Sequence, residues 1–386
     1  MIPFIDLATQ QKRIRPQIEA ALLRILDHGA YIMGPETHAL ETQLSSFCGA
    51  QYTLSCSNGT DALALVLRAK NVRPGDAIFV PSFTFAATAE VVAWMGASAV
   101  FIDVLPDTFN MDPISLEKGI DRAKTLGLHP SGIIPVDLFG QAADYDALTR
   151  IANKHGLWVM ADAAQSFGGT YKGRKIGALV ETTTTSFYPP KPLGCYGDGG
   201  AVFTENKDIF DVLQSLRIHG QGSEGDKYKN IRIGINGRMD TLQAAILIEK
   251  LTIFPEEISL RQKVADRYSA ALRDVAIPPF VAPGCQSAWA QYTLKVDPEK
   301  RQDIMDELKK AGIPSVIYYP LPLHHQEAYK AYPCATPTLP VSESLANCVL
   351  SLPMHPYLEP ETQDHIIKTF CNIATKLKVS PKKEVP

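Results

Sequence analysis

From Tyr52 to about residue 250 the chain alternates short apolar runs with amphipathic stretches, and this alternation restricts the fold more than any other feature of the 386 residues. The runs 77–80, 99–102, 132–136, 158–161 and 201–204 have the length and composition of strands buried on both faces. Helical candidates lie between them at 61–69, 88–94 and 143–155. Strands alternating with helices over such a length predict an α/β fold, a largely parallel sheet covered on both sides. Sheets of this kind bind ligands in the crevice beyond the carboxyl ends of their strands.

The flanks read differently. Through about residue 45 the pattern is helical, with Ile14, Ile18, Leu22, Leu23 and Leu26 near one face, Gly29 as a stop and a turn over 31–36. A capped helical pattern covers 240–251 and a second helical stretch covers 256–272. Beyond Pro278-Pro279 come a strand at 292–296, a helix at 300–311, a strand at 315–319, a Pro-rich loop, and a last strand and helix. We therefore expect a large domain over 1–250 and a small α+β domain over 251–386, with a polar tail at 379–386 that frays. The balance of 38 basic and 41 acidic residues offers no field to recruit nucleic acid or an anionic membrane. No apolar run reaches the roughly 18 residues of a membrane span, and no secretory signal opens the chain. Seven cysteines without any CxxC argue against a disulfide framework or structural zinc. A cytoplasmic enzyme is the expectation.

The chemistry concentrates around one lysine. Lys191 sits in Ser186-Phe-Tyr-Pro-Pro-Lys191-Pro-Leu-Gly, a stiff, solvent-poor setting in which an ammonium loses its proton readily. Asp162, 24 residues before that run, ends the apolar run 158–161 and so overlooks the crevice. A deactivated lysine and a buried carboxylate are what pyridoxal 5'-phosphate requires, one for its aldehyde and one for its ring nitrogen. Other residues suit the same ligand. Gly59 and Thr60 open a helix that could cradle phosphate, and Ser186 could add a hydroxyl. Phe85 could stack on a flat ring, and Gln165 could reach its phenolic oxygen. Each has a plainer alternative: Thr60 or Asp61 as a helix cap, Phe85 as core, Ser186 as a loop residue. Arg238 suits a carboxylate or phosphate, or is an ordinary surface residue near a cap at Asp240. Tyr318, Tyr319, His324, His325 and His355 cluster around Pro-rich turns. No histidine pair has i,i+4 spacing with a carboxylate, so no metal is expected.

Taken together, Asn58-Gly-Thr-Asp-Ala62, Pro81-Ser-Phe-Thr-Phe85, Asp162-Ala-Ala-Gln-Ser166, Ser186 to Lys191 and Gly234-Ile-Asn-Gly-Arg-Met-Asp-Thr-Leu-Gln-Ala244 resemble the nucleotide-sugar aminotransferases of the DegT/DnrJ/EryC1/StrS family. The resemblance runs from Phe4 to Tyr357. It implies the fold type I of pyridoxal-phosphate enzymes: a mostly parallel seven-stranded sheet in a large domain, plus a small α+β domain. It further implies that Lys191 bonds to the cofactor's aldehyde, Asp162 pairs with the pyridine nitrogen, Gln165 contacts the ring hydroxyl and Phe85 stacks. Gly59, Thr60 and Ser186 would hold the phosphate, with Asn236 reaching it from the other subunit of a homodimer. Pro190 and Pro192 depart from the small residue and asparagine that many members carry there. The motif wording is nearest a branch acting on a UDP-linked 3-keto-N-acetylglucosaminuronate, with L-glutamate as donor, for surface polysaccharide such as O-antigen. Arg238, Tyr318, Tyr319 and His325 are its candidate sugar-binding residues. The alternatives are a 4-keto-6-deoxy sugar nucleotide as acceptor and a non-catalytic regulator. A dehydratase would carry histidine in place of Lys191.

Overall fold

The computed structural model describes residues 2–222 and 228–379. Of the tail expected at 379–386, residues 380–386 lie outside them. Alternation becomes topology as anticipated. Strands β1 (Tyr52–Cys56), β2 (Asp76–Pro81), β3 (Ser98–Ile102), β4 (His129–Ile133) and β5 (Trp158–Asp162) are followed by the two-residue strands β6 (Thr170–Tyr171) and β7 (Arg174–Lys175). Then come β8 (Thr182–Ser186) and β9 (Gly200–Thr204). Seven of them form one sheet in the order β1-β9-β8-β5-β4-β2-β3. Only β9 runs against its neighbours. The ends of β1, β2, β5 and β8 and the start of β9 therefore share one edge.

Helices α1 (Leu7–His28) and α2 (Pro35–Cys48) precede the sheet. Helices α3 (Gly59–Ala69), α4 (Ala87–Trp94), α5 (Pro113–Thr125), α6 (Tyr145–His155) and α7 (Lys207–Arg217) cover it. The main core is the sheet's apolar interior, including Ile78, Phe79, Val100, Phe101, Ile133 and Met160. Strand β8 is a run of four threonines and a serine, yet Thr182 to Thr185 are buried. Three of the hydroxyls find partners on β5 and just beyond it: Thr182 donates to the Val159 carbonyl (3.5 Å), Thr184 to that of Ala161 (3.3 Å) and Thr185 to that of Ala163 (3.1 Å), while the Thr183 hydroxyl is buried without a partner. A largely polar strand thus enters a core because most of its polar atoms are matched.

Three expectations need correction. In α1 the buried face is Ile14, Ile18, Ala21 and Ile25, a spacing of four, three and four residues, so Leu23 and Leu26 point away and stay exposed. The stretches at 240–251 and 256–272 are one helix, α8 (Thr241–Leu272), with Pro255 inside it. A proline removes one helical hydrogen bond, but Phe254, Ile258 and Leu251 pack into a shared core around it and hold the rod continuous. Residues 315–319 form no strand; only Val316 bridges to Ser351, and the chain then turns toward the site.

Beyond α8 lie β10 (Cys285–Gln286), which joins β6 and β7, and the antiparallel pair of β11 (Tyr292–Lys295) with β12 (Val349–Leu352). Helices α9 (Arg301–Lys310), α10 (Pro340–Cys348) and α11 (Pro360–Lys376) complete this α+β part. Its core includes Tyr268 of α8, Tyr292, Leu308, Leu350 and Phe370.

Candidate active site

Gly59, Thr60, Phe85, Asp162, Gln165, Ser186 and Lys191 lie at or just beyond the ends of β1, β2, β5 and β8 at the shared sheet edge. After β1, Asn58 caps α3, its Oδ1 accepting from Asp61 N at 2.7 Å; Thr60 and Asp61 are in the first turn, not at the cap. The turn is tightly closed. A Cβ on Gly59 would lie 2.7 Å from that of Ser186, and one on Gly200 would lie 2.4 Å from the Asn58 carbonyl oxygen. Glycines therefore let the start of α3 come directly against Ser186 at the end of β8. The first N–H groups of a helix are unpaired and carry partial positive charge, which favours phosphate.

Asp162, at the end of β5, is buried and held by its neighbours. The Thr88 hydroxyl donates to Oδ2 at 2.9 Å and Ala164 N to Oδ1 at 3.2 Å. Burial pushes its carboxyl above the ordinary range, against those two bonds and the charge of Lys191. Lys191 is displaced the other way: loss of solvent lowers its ammonium, and only Asp162 opposes that. Two groups whose surroundings drive them toward neutrality, each near enough to feel the other's charge, mark a functional site.

The lysine loop is braced from within and behind. Lys191 N donates to Tyr188 O and Cys195 N to Phe187 O, both at 2.8 Å. The side chain of Lys250 on α8, 1% exposed, donates to the Gly194 carbonyl at 2.6 Å and lies over the Tyr196 ring. Burial brings the Lys250 ammonium down to about 8.

Phe85 is 59% exposed, not part of the core, and its ring leans toward Tyr319 at 6.4 Å. Gln165 accepts from Phe139 N at 2.7 Å and donates through Nε2 to Tyr319 Oη at 3.2 Å. Tyr319 is thereby drawn in, and burial raises its phenol. Tyr318 packs on Phe4. Asn236 and Arg238 stand apart: Arg238 Nε donates to Asn236 Oδ1 at 3.0 Å, and the intervening Gly237 carbonyl accepts from Ser57 N. Asn236 is exposed. His325 turns to Glu343 instead of the lysine, as does His324.

The arrangement fits pyridoxal 5'-phosphate. A glycine cradle at a helix start with Ser186 suits its phosphate, an open aromatic face suits its ring, and a carboxylate and a deprotonable amine suit its ring nitrogen and aldehyde. Sequence reasoning missed two supports. Thr88 lies three residues beyond Phe85 at the head of α4, and a hydroxyl in the motif that follows β2 was the available signal. Lys250 left no signal, because a lysine on an apolar helix reads as solvated.

Comparison with known proteins agrees with this geometry. Residues 12–371 match the DegT/DnrJ/EryC1/StrS aminotransferase family. A Pseudomonas aeruginosa protein, UDP-2-acetamido-2-deoxy-3-oxo-D-glucuronate aminotransferase, is 48% identical over 97% of this chain and 100% of its own. The crystal structure of a DegT DnrJ EryC1 StrS aminotransferase from Brucella abortus superposes with a TM-score of 0.95 at 49% identity, covering 97% of this chain and 100% of that one. NtdA from Bacillus subtilis, solved with bound cofactor PMP, superposes with a TM-score of 0.86 at 29% identity over 96% of this chain and 83% of that one. With a family match spanning nearly its whole length and a lysine and aspartate paired at the sheet edge, the chain belongs to the DegT/DnrJ/EryC1/StrS aminotransferase family.

Proposed function

We propose that this enzyme moves an amino group from L-glutamate to a keto-sugar nucleotide, a UDP-linked 3-keto-N-acetylhexosaminuronate being the preferred acceptor. The observation that carries the transamination is the placement of buried Asp162 at the end of β5 and of Lys191 on the loop after β8, at the sheet edge that also holds the α3 cradle. The acceptor rests on full-length likeness to the Pseudomonas aeruginosa relative.

Pyridoxal 5'-phosphate, when bound, supplies the electron-poor ring that accepts carbanion charge. Lys191, whose burial favours the neutral amine, would take up the proton released from the substrate's amine-bearing carbon and give it back on the far side of the amine nitrogen. Asp162 remains ionised against the ring nitrogen because Thr88 and Ala164 donate to it. Gly59, Thr60 and Ser186 hold the phosphate. Phe85 covers one ring face, and Gln165 offers its second amide hydrogen to the ring oxygen. Asn236 completes the phosphate site from the partner subunit of a homodimer. Exposed Leu23, Leu26, Tyr31 and Ile32 support that assembly as apolar surface left uncovered on one chain.

Arg238, with Tyr318 and Tyr319, reads the uronate carboxylate, and His325, turned to Glu343, stays out of that site. The enzyme works in the cytoplasm, and its product enters surface polysaccharide such as O-antigen. A site built to bind that carboxylate leaves a charge unpaired when the sugar is neutral. The cost, about 1.5–3 kcal/mol, is roughly ten- to a hundredfold in selectivity. The test compares kcat/KM for the 3-keto-uronate with that for a 4-keto-6-deoxy sugar nucleotide. Equal use of the neutral sugar overturns the acceptor and leaves the transaminase standing. Loss of Lys191-bound cofactor absorption on adding glutamate tests the transaminase separately.

A further inference from the structure

We propose that His324, His325 and Glu343 form a site for a divalent transition ion of the zinc type, beyond the aminotransferase reading and independent of it. The two histidines are consecutive in the short 3-10 turn Leu323–His325, and their ring centroids lie 4.0 Å apart. Glu343 comes from the first turn of α10. Nε2 of His324 lies 3.2 Å from Oε1 of Glu343, and Nε2 of His325 lies 3.8 Å from the same oxygen. One ligand atom from each of the three residues lies within 4.8 Å of the others. Zinc bonds to imidazole and carboxylate at about 2.0–2.2 Å, which places the donors of a tetrahedral site about 3.3 Å apart. Small side-chain rotations close the difference.

Two further features suit a ligand set. The Nδ1 of His324 is 2.6 Å from the hydroxyl of Ser82, which is fully buried at the end of β2. That contact fixes the ring and leaves Nε2 facing Glu343, the outer-shell support that metal-bound histidines have. Leu339 N donates to Oε1 of Glu343 at 3.0 Å, which holds the carboxylate on the side of the two imidazoles and leaves that oxygen a second lone pair. A cap on α10 accounts for Glu343, and its ion pair accounts for His324. Neither accounts for His325, whose half-exposed ring joins them. Two imidazoles and one carboxylate suit zinc, nickel or copper and not the oxygen-seeking calcium or magnesium. Three protein ligands leave a fourth position for water on the solvent side, where His325 is exposed and Glu343 half-buried.

The site's place in the fold gives it a consequence. It would tie the segment following Tyr319 to α10 and, through Ser82, to the segment that leads to Phe85.

The test is a zinc titration of the cofactor-loaded enzyme at neutral pH in competition with a chromogenic chelator. We expect one zinc per chain, with affinity falling about 10- to 100-fold in His325→Ala, in Glu343→Gln and in the outer-shell variant Ser82→Ala. His325 is exposed, so its removal leaves the fold intact, which thermal unfolding checks. Zinc bound as tightly by His325→Ala as by the wild type overturns the proposal. So does anomalous scattering that places the ion at a cysteine.

Discussion

Thr88→Val tests how the charge on Asp162 is maintained. The Asp162 carboxyl is already pushed upward by burial, and the Thr88 hydroxyl is one of two hydrogen-bond donors that oppose that push. Valine has nearly threonine's shape and lacks the donor. Loss of a hydrogen bond to a charged group costs about 1.5–3 kcal/mol. At 1.36 kcal/mol per unit, the Asp162 pKa should rise by about one to two units. The protonated carboxyl cannot keep a proton on the cofactor's ring nitrogen, so cofactor affinity must fall on the acid side first. The assay follows the visible absorption of cofactor titrated into apoprotein across pH. The variant's acid limb should move to higher pH by that amount, and Thr88→Ser, which keeps the hydroxyl, should restore it. A folded Thr88→Val protein whose acid limb does not move refutes the reasoning.

Further outcomes follow from the same geometry. Lys191→Ala should abolish turnover without changing thermal unfolding. Mixed with Asn236→Asp subunits it should regain activity, since each hybrid dimer then holds one wild-type site; no recovery shows that Asn236 serves its own chain. Gly59→Ala places a Cβ 2.7 Å from that of Ser186. Overpacking of about 1–3 kcal/mol at the cradle should weaken cofactor binding about ten- to a hundredfold, read by equilibrium dialysis. His355 is 2% exposed and burial lowers its pKa from 6.5 to about 4. The unfolded chain takes up that proton first as pH falls, so stability should drop by about 3 kcal/mol between pH 6.5 and 4. Denaturant melts of His355→Leu should show a shallower decline over this window, and an unchanged slope would discount the residue.

The largely parallel sheet and its helix cover are legible in the sequence because they rest on periodicity, and Lys191 and Asp162 stand out there by their settings, whereas the strand order does not. Strand β8 is harder to see. Its threonines carry no apolar signal, and only the carbonyls of β5 make them cheap to bury. The exposure of Leu23 and Leu26 is likewise hidden, since helical spacing admits more than one apolar face and the packing of α1 on α8 selects Ile14, Ile18, Ala21 and Ile25. The gathering of His324, His325 and Glu343 depends on a turn meeting a helix 18 residues later, which no local pattern encodes. Thr88 carries a hydroxyl in the motif after β2, but its partner, Asp162, lies 74 residues on and no local pattern joins them.

The unbroken run of α8 has a mechanical meaning. A helix of 32 residues is a rod about 48 Å long. Near one end Gln243 accepts from Tyr196 N and Lys250 grips Gly194, so the rod holds the lysine loop. Toward the other end Arg261 and Tyr268 hold the carbonyls of Trp289 and Pro353 in the C-terminal part. A swing of that part cannot hinge within α8 without breaking helical bonds, so the rod must tilt whole. A tilt of about 3° about one end would carry the other some 2.5 Å. Sugar contacts made on the C-terminal side would thus be felt at the lysine loop through leverage, with no chain of intervening side chains required.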